Sequence, residues 1–478
     1  MIGSLISDFS SARSSHKTIF KPLFLEAFSF AKKWHIVYEK TIKKGRDDMI
    51  LNITDENWAE VIEDTLAVET FTALKKYIHA LESSQRGFPD SVTKLVVNEA
   101  KCNMKSHEIK QLLDKQPLRR LKTISVSNPD KYFCTVDGLL YSGDKERLLF
   151  CPRGKKGVLV IPDETKSISD IACSDCSFSV LVLPDSVESI GVFACYHNAN
   201  LERVEGGKGI RKIYYGAFLN CQKLEHFELG NAVEEVGDSA FMNTILTEID
   251  LPDSIWRVGR NAFNTAAMHN GKNTDVGPDG MYDINIPASI EYIQPGAFAN
   301  AANVHTSFVN RKLINACLRS GNLQHCYPCN IWRLKIDGKP DIIMPKDIDS
   351  SKLDAVSDEI NKFMLSEDTV PPEIYRYSQS ATGLTAALEQ CRKYPNPNLK
   401  RFITRNISII FQNIICNPLV KNGEELMVGL INDKVFTDTA LKRLLKEVEK
   451  VEDTQNLTVL KTYILNSINS YPQNTFRI

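Results

Sequence analysis

The chain has 478 residues, and its 58 basic and 59 acidic residues give a formal net charge of −1. This length exceeds what one compact core usually holds, so it predicts roughly two to four domains. With 43% apolar and 24% charged residues, the composition is that of a folded protein and excludes a wholly disordered chain. The balanced charge provides no overall attraction to polyanions, and we expect neither nucleic acid nor a membrane as the partner.

The sequence carries no signal of export or membrane insertion. Its first residues, from Met1 to Phe9, lack a basic head followed by an apolar run, so they do not predict a secretory signal. No stretch approaches the ~18 consecutive apolar residues that a membrane span needs. The twelve cysteines are scattered through a chain far larger than a disulfide-stapled mini-domain, which predicts reduced thiols and a cytoplasmic location.

Residues 1–90 are predicted to form a helical N-terminal cap. Thr54-Asp-Glu would place acidic residues in the first turn of a helix, and apolar residues follow at roughly helical spacing. Those apolar residues are Trp58, Val61, Ile62, Leu66 and Ala67. A second helical pattern covers Thr70–Leu81.

Two irregular units are predicted next. An atypical repeat spans Val92–Val126, with a helix across Ser106–Gln116. Its strand positions are Leu95, Val97, Leu121, Ile124 and Val126. An insertion over residues 132–157 predicts a hairpin with strands at Gly138–Tyr141 and Arg147–Phe150.

A regular period then dominates the chain. Successive apolar anchors are separated by 22, 23, 23, 22 and 35 residues, and the last step is one period plus an insertion. The anchors are Ile168, Ile190, Ile213, Val236, Val258 and Ile293. An alanine stands four residues after each anchor, and the next residue is usually phenylalanine. These pairs begin at Ala172, Ala194, Ala217, Ala240, Ala262 and Ala297, and Cys173 and Cys195 replace phenylalanine in the first two.

Each unit also carries an apolar pair before its anchor, such as Leu181 with Leu183 or Ile249 with Leu251. This alternation predicts a short strand with one face inward, and a following proline or glycine ends it. The small alanine suits the place where layers press together, and the phenylalanine fills the core. One unit cannot bury its apolar face alone, so neighbouring units must stack into a solenoid with a parallel sheet.

The segments at residues 183–191 (LPDSVESIG) and 251–263 (LPDSIWRVGRNAF) resemble BspA-like leucine-rich repeats. The segment 132–155 resembles the hairpin module that this family inserts between repeats. The resemblance implies an α+β fold, a leucine-rich-repeat solenoid over residues 91–345, and a binding scaffold with many kinds of partner. Characterised members are often surface adhesins, and the missing secretion signal favours an interaction protein inside the cell.

The remainder is predicted to close the solenoid and then turn helical. Short strands are expected at Trp332–Ile336 and Ile342–Pro345. Residues 346–478 are predicted to be a C-terminal helical domain, because apolar residues recur there at helical spacing. Two faces carry this pattern: Leu441, Leu445 and Val448 on one helix, and Leu457, Leu460, Ile464 and Ile468 on the last.

The candidate partner-binding site is the exposed face of the solenoid sheet. Its strand positions alternate with the buried ones and stack into columns rich in acidic residues. The candidate residues are Arg203, Glu205, His226, Glu228, Glu248, Asp250, Asp283 and Asn285. Like charges adjacent on a sheet are mildly destabilising, so the columns suggest a groove for a basic or polar partner segment. The competing interpretation is a solvated sheet face without a ligand.

Weaker candidates have plainer explanations. The Gly- and Asn-rich insertion 267–280 is either a contact loop or a tolerated bulge. Cys173 and Cys176 fall on repeat positions, which favours core packing over zinc binding. Cys326 and Cys329, with His325, leave a structural metal site open, although we predict no metal and no cofactor.

No nucleotide-binding, hydrolase or metalloprotease motif is present, so we predict a protein that is not an enzyme. The predicted function is protein–protein recognition through the sheet face. Two alternatives stay open: a cell-surface adhesin exported by a route that the sequence does not show, and an effector whose activity lies in residues 350–478. The oligomeric state is not predicted.

Overall fold

A computed structural model describes residues 50–54, 57–83, 91–99, 104, 106–115, 118–246, 248–265, 282–318, 331–378, 381–417, 423–451 and 456–470. The chain divides into two compact units: Met1–Gly157 with Glu164–Ser177, and Val158–Asp163 with Phe178–Ile478. Within the described ranges, none of the helices has the length and apolar character to span a membrane. The predicted insertion 267–280 and the motif Cys326–Cys329 with His325 lie outside those ranges.

The first unit begins with a five-stranded sheet in the order β1-β2-β3-β4-β5. The first three strands are antiparallel, and β3, β4 and β5 are parallel. Helix α1 packs its apolar face, which includes Phe71, Leu74 and Tyr77, into the same core as the sheet. The elements are β1 (Ile50–Thr54), β2 (Asn57–Ile62), β3 (Thr65–Val68), α1 (Phe71–Ser83), β4 (Lys94–Glu99), α2 (Ser106–Leu113) and β5 (Thr123–Asn128).

The helix predicted to begin at Thr54 is wrong, because Trp58–Ala67 forms the hairpin of β2 and β3. Glu63 adopts a left-handed φ of 55°, and this turn interrupts any helix. The apolar pairs around the turn fit both a helical and a strand period, so spacing alone did not distinguish them. The helix predicted at Thr70–Leu81 is confirmed by α1, and the atypical repeat is confirmed by β4, α2 and β5, except that Leu121 lies before β5 and not in a strand.

The predicted hairpin is confirmed and has one strand more than expected. Strands β6 (Phe133–Val136), β7 (Leu139–Ser142) and β8 (Arg147–Phe150) are antiparallel. After β9 (Lys156–Val160), strand β10 (Ser167–Ile168) pairs in parallel with β8.

The buried side chain of Arg153, which follows the hairpin, forms hydrogen bonds with the end of α2. Its guanidinium donates to Asp114 Oδ1 from Nε at 2.9 Å and to Ser174 Oγ from Nη1 at 2.9 Å. A buried cation needs such partners, because its desolvation would otherwise be costly.

Cys173 and Cys176 lie in the core of this unit, as the packing interpretation predicts. They surround the thiol of Cys151, which is fully buried. Hydrogen bonds with Cys173 and Cys176, together with burial, raise the pKa of the Cys151 thiol well above its usual value. The Cys151 thiol is therefore a neutral packing group at physiological pH.

In the second unit, each repeat supplies a strand to one sheet and a two-residue strand to another. The first sheet contains two runs of parallel strands, β9-β11-β13-β15 and β17-β19-β21, and the second contains β12-β14-β16-β18-β20. The strands are β11 (Ser177–Leu183), β12 (Ser189–Ile190), β13 (Arg203–Gly206), β14 (Lys212–Ile213), β15 (His226–Phe227), β16 (Glu235–Val236), β17 (Glu248–Asp250), β18 (Arg257–Val258), β19 (Asp283–Ile286), β20 (Tyr292–Ile293) and β21 (Asn303–Thr306).

A stack of aromatic rings runs through the core between these sheets. The rings of Phe218, Phe241, Phe263 and Phe298 follow one another at centroid distances of 5.3, 5.3 and 6.0 Å and are nearly parallel. The backbone N–H of each of the first three phenylalanines donates to the carbonyl of the alanine in the next repeat, at 2.8–2.9 Å. The predicted Ala-Phe pair therefore joins neighbouring repeats through both its side chain and its backbone.

The last repeat is covered by α3 (Arg311–Cys317) and by strands β22 (Ile331–Lys335) and β23 (Ile342–Pro345). Strand β22 is parallel to β21, and β23 returns antiparallel to β22, which confirms the predicted closing strands. The fully buried Lys346 donates from Nζ to the carbonyls of Ala299 and Ala301, at 2.6 and 2.9 Å. Carbonyls at the end of the array thus receive donors from the closing segment.

The C-terminal part is helical, as predicted. Ile331 and Ile343 of the closing strands share one hydrophobic core with these helices. Leu441 and Val448 are buried on their predicted common face and Leu445 is partly buried. The helices are α4 (Leu353–Leu365), α5 (Ala381–Lys393), α6 (Pro397–Arg405), α7 (Ile407–Ile414), α8 (Gly423–Asn432), α9 (Asp438–Val451) and α10 (Thr458–Ser470), with short 3₁₀ turns at Ser350–Lys352 and Ile374–Tyr377.

The third residue after each anchor adopts a left-handed backbone, with φ between 51° and 72°. Glycine, serine or asparagine occupies this position in four repeats, and Ile171 and Phe193 occupy it in the first two. A β-branched residue is strained in this conformation. Phe193 offsets its strain by packing edge-on against Tyr196 and Tyr215, at centroid distances of 5.3 and 4.8 Å. The side chain of Ile171 is 46% exposed.

Replacing Ile171 with asparagine should therefore stabilise the protein. We expect Ile171→Asn to raise the free energy of unfolding by about 1 kcal/mol, because asparagine tolerates the left-handed region and little apolar burial is lost. The midpoint of urea unfolding, followed by circular dichroism, measures the change. Ser239 occupies the equivalent position of another repeat. Ser239→Ile introduces a β-branched residue there and should lower the midpoint. A lower midpoint for Ile171→Asn would contradict the assignment of strain.

Glu235 lies between two cations on the second sheet and predicts a pH dependence. Lys212 Nζ lies 2.7 Å from its carboxylate and Arg257 Nη1 lies 3.4 Å from it. The hydrogen bond from Lys212 is the main cause that lowers the pKa of Glu235. A lowered carboxyl pKa stabilises the fold above the unfolded-state value and stops doing so as pH falls through the folded-state value.

Glu235→Gln should reduce stability at about pH 7 and make the loss of stability between about pH 5 and pH 3 shallower. Urea midpoints measured across that range test this expectation. Glu188→Gln is the matched control, because among the described residues this exposed carboxylate forms no ion pair. Equal slopes for Glu235→Gln and the intact chain would show that the cations do not stabilise the ionised form.

Candidate partner-binding surface

The outward side chains of the first sheet form two parallel rows, because successive residues of a strand point to opposite faces. Strand pairing aligns Val180 with Arg203 and Val182 with Glu205. We call the first row the series Val180, Arg203, His226, Glu248, Asp283, Asn303 and Arg333. Strand pairing aligns the first three with one another and the last four with one another. Strands β15 and β17 are not paired within the described residues, so the step from His226 to Glu248 follows the order of the repeats. We call the second row the series Val160, Val182, Glu205, Glu228, Asp250, Asn285, His305 and Lys335, which are the residues two positions further along each strand. Strand pairing aligns Val182 with Glu205 and aligns the last four with one another.

All eight predicted site residues lie on this face and are exposed. Strand β13 carries Arg203 and Glu205, and β15 carries His226, with Glu228 directly after it. Strand β17 carries Glu248 and Asp250. Strand β19 carries Asp283 and Asn285. The residues between them, Val204, Phe227, Ile249 and Ile284, are buried, so core packing on one side fixes the orientation of the charged side.

Two acidic residues face each other across neighbouring strands. Glu248 of β17 is aligned with Asp283 of β19 in parallel register, about 4.8 Å away by strand spacing. Like charges in this position repel each other, so the pair does not stabilise the sheet. Asp283 accepts a hydrogen bond from Asn303 Nδ2 at 2.6 Å. The amide donor is neutral, so it does not cancel the charge of the carboxylate.

Charge compensation on this face is limited. Arg203 lies 3.4 Å from Glu205 on the same strand. Within the described part of the chain, the carboxylates of Glu228, Glu248 and Asp250 form no ion pair with lysine, arginine or histidine. The centre of the face is therefore an acidic surface that is open to solvent.

The two ends of the face differ from its centre. Val158 and Val160 of β9 are 55% and 57% exposed, and Val180 and Val182 beside them are half-buried. At the far end the rows reach His305, Lys335 and Arg333, and Arg333 also contacts Glu389 of α5 at 3.7 Å. Neither end is among the site residues predicted from the sequence. The alternation of side chains along a strand predicts that the valines lie on this face. The basic end depends on the parallel pairing of β22 with β21, which no repeat pattern in the sequence indicates.

A cavity of about 690 Å³ lies among the C-terminal helices. Its lining combines the first turns of α6 and α9 with two cationic side chains, Lys400 and Arg401. Lys400 Nζ donates to the carbonyl of Lys434 at 3.0 Å. The lining contains no carboxylate, histidine or cysteine. The lining residues are Pro395, Asn396, Pro397, Lys400, Arg401, Thr404, Thr437 and Thr439.

Comparison with known families agrees with this repeat architecture. The pattern of the BspA type leucine rich repeat region matches residues 155–269 in six copies. These residues contain the strands of the first sheet from β9 to β17, together with Glu205, Glu228, Glu248 and Asp250. No curated protein matches the sequence significantly.

Solved structures of bacterial leucine-rich repeat proteins are similar over part of the chain. The pneumococcal vaccine antigen PcpA is 22% identical, with 40% of this chain and 42% of that chain covered and a TM-score of 0.28. A leucine rich cell surface protein from Faecalibacterium prausnitzii is 19% identical, with 49% and 56% covered and a TM-score of 0.30. A T. pallidum leucine-rich repeat protein is 22% identical, with 37% and 80% covered and a TM-score of 0.28. The chain thus spans about half the length of the first two.

Proposed function

Because residues 155–269 are a BspA-type leucine-rich repeat region, we propose that the protein is a non-catalytic scaffold that binds a protein partner through the outer face of its first sheet. The partner segment is basic or polar. It lies across the strands and places cations beside the acidic centre of the face, which we define as Glu205, Glu228, Glu248, Asp250 and Asp283.

The observation that supports this proposal is that three carboxylates of the acidic centre, those of Glu228, Glu248 and Asp250, form no ion pair within the described residues. Folding requires only that this side of the strands be polar, and serine, threonine or mixed charges would meet that requirement. Instead, Glu248 faces Asp283 in register and Glu228 and Asp250 occupy neighbouring layers of the second row. A basic segment would neutralise this repulsion on binding, so the free energy that the fold gives up would be recovered in the complex.

Affinity purification from native lysate tests the proposal. The intact chain is compared with a variant in which Glu205, Glu228 and Asp250 are all replaced by lysine. We expect the partner that the intact chain captures to bind the variant at least about 10-fold more weakly, since three attractions become repulsions. Binding to the intact chain should also weaken as salt is raised, because exposed charges are screened.

The matched control carries three charge reversals away from the sheet face. Glu188, Asp253 and Glu291 are exposed, and their replacement by lysine changes the net charge by the same amount. This variant should retain the partner. Equal capture by the intact chain and both variants would place binding elsewhere and leave the sheet face as a solvated surface.

A further inference from the structure

The second row changes its chemistry in one direction across the strands. It begins with two valines, continues with three carboxylates, passes Asn285 and ends at His305 and Lys335. Each step advances by one strand, or ~4.8 Å where the strands are paired, and the step from Glu228 to Asp250 joins the two separately paired runs. The row therefore presents an apolar, an acidic and a basic part in a fixed spatial order.

The valine end departs from what a solvated sheet face requires. Val158 and Val160 are more than half exposed although both lie on one strand, with their side chains on the same face. The half-buried Val180 and Val182 on β11 extend this apolar surface to the edge of the acidic centre. Exposed apolar side chains that adjoin a charged surface are typical of contact sites.

The acidic centre follows at once. Val182 is aligned with Glu205, so one strand spacing separates the last valine of the second row from its first carboxylate. Glu228 and Asp250 follow in the next two layers. The three carboxylates lie on three consecutive repeats and so span on the order of 10 Å, which equals about three residues of an extended chain at ~3.3 Å each.

We propose that the occupant of this face is an extended peptide segment with ordered chemistry: apolar residues on the valines, two or three lysines or arginines on the acidic centre, and acidic residues at the basic end. This inference rests on the proposed function and specifies its partner. Charge complementarity selects the order, because shifting the segment in either direction would place its cations on valines or beside Lys335. An interleaved segment of equal composition cannot satisfy all three parts at once.

Synthetic twelve-residue peptides provide the test. One set carries an apolar block, a lysine block and a glutamate block in that order, in both chain directions. A second peptide has the same composition with the three residue types interleaved. We expect fluorescence anisotropy with the full chain to show at least 10-fold tighter binding of a block peptide, in one of its two directions, than of the interleaved peptide.

Two variants separate the parts of the face. Val160→Asp should weaken binding of the block peptide about 10-fold, because it puts a charge where the apolar block lies. Val459→Asp on α10 is the matched control, since Val459 is 55% exposed, and it should leave the affinity unchanged. Circular dichroism spectra of both variants verify that they fold.

The outcomes distinguish this inference from the proposed function. Equal affinity for block and interleaved peptides, lost only when Glu205, Glu228 and Asp250 become lysine, would overturn the ordered segment and retain recognition by charge. Binding that no substitution on the face changes would argue against both. Failure of every peptide to bind the intact chain would overturn the ordered segment, while the partner-capture experiment above decides the proposed function independently.

Discussion

Four phenylalanine rings, stacked at 5.3–6.0 Å, hold consecutive repeats of the second unit in a common register. Each ring needs the ring of the next layer, because a single repeat is too thin to bury it. The backbone N–H of each phenylalanine except the last donates a hydrogen bond to the alanine carbonyl of the next repeat. This bond fixes the distance between neighbouring layers at the same place as the rings. The positions of the strands, and hence of everything that they display, follow from this stack.

The stack also explains why charge can collect on the sheet face. Val204, Phe227 and Ile249 are buried and pack the core. The alternate strand positions do not pack the core, so they can carry charged residues. A register slip by one residue would exchange the two sets and bury the carboxylates, which the fold strongly opposes. The strength of the core therefore permits an outer face whose like charges weaken the sheet slightly.

Much of the second unit was predictable because its period is a direct consequence of stacking. The anchor, alanine and phenylalanine positions all lie in the core, and the eight site residues all lie on the outer face, since strand alternation leaves them no other side. The helix predicted across Trp58–Ala67 was wrong because the turn at Glu63 depends on backbone conformation rather than on apolar spacing. The basic end of the face escaped prediction because Lys335 reaches it through pairing of β22 with β21, a contact between strands that share no repeat pattern. Binding by the face itself is a prediction that rests on its charge.

The central claim is that the partner lies on the first sheet and not on another surface of the repeats. Photo-crosslinking in lysate of the source cells tests this claim directly. A photoreactive amino acid replaces either His226 on the face of the first sheet or Tyr214. Tyr214 is 45% exposed and follows the second-sheet strand β14. Our account predicts a partner adduct from position 226 and none from position 214. An adduct that forms only from position 214 would contradict it and move the binding surface to the second sheet.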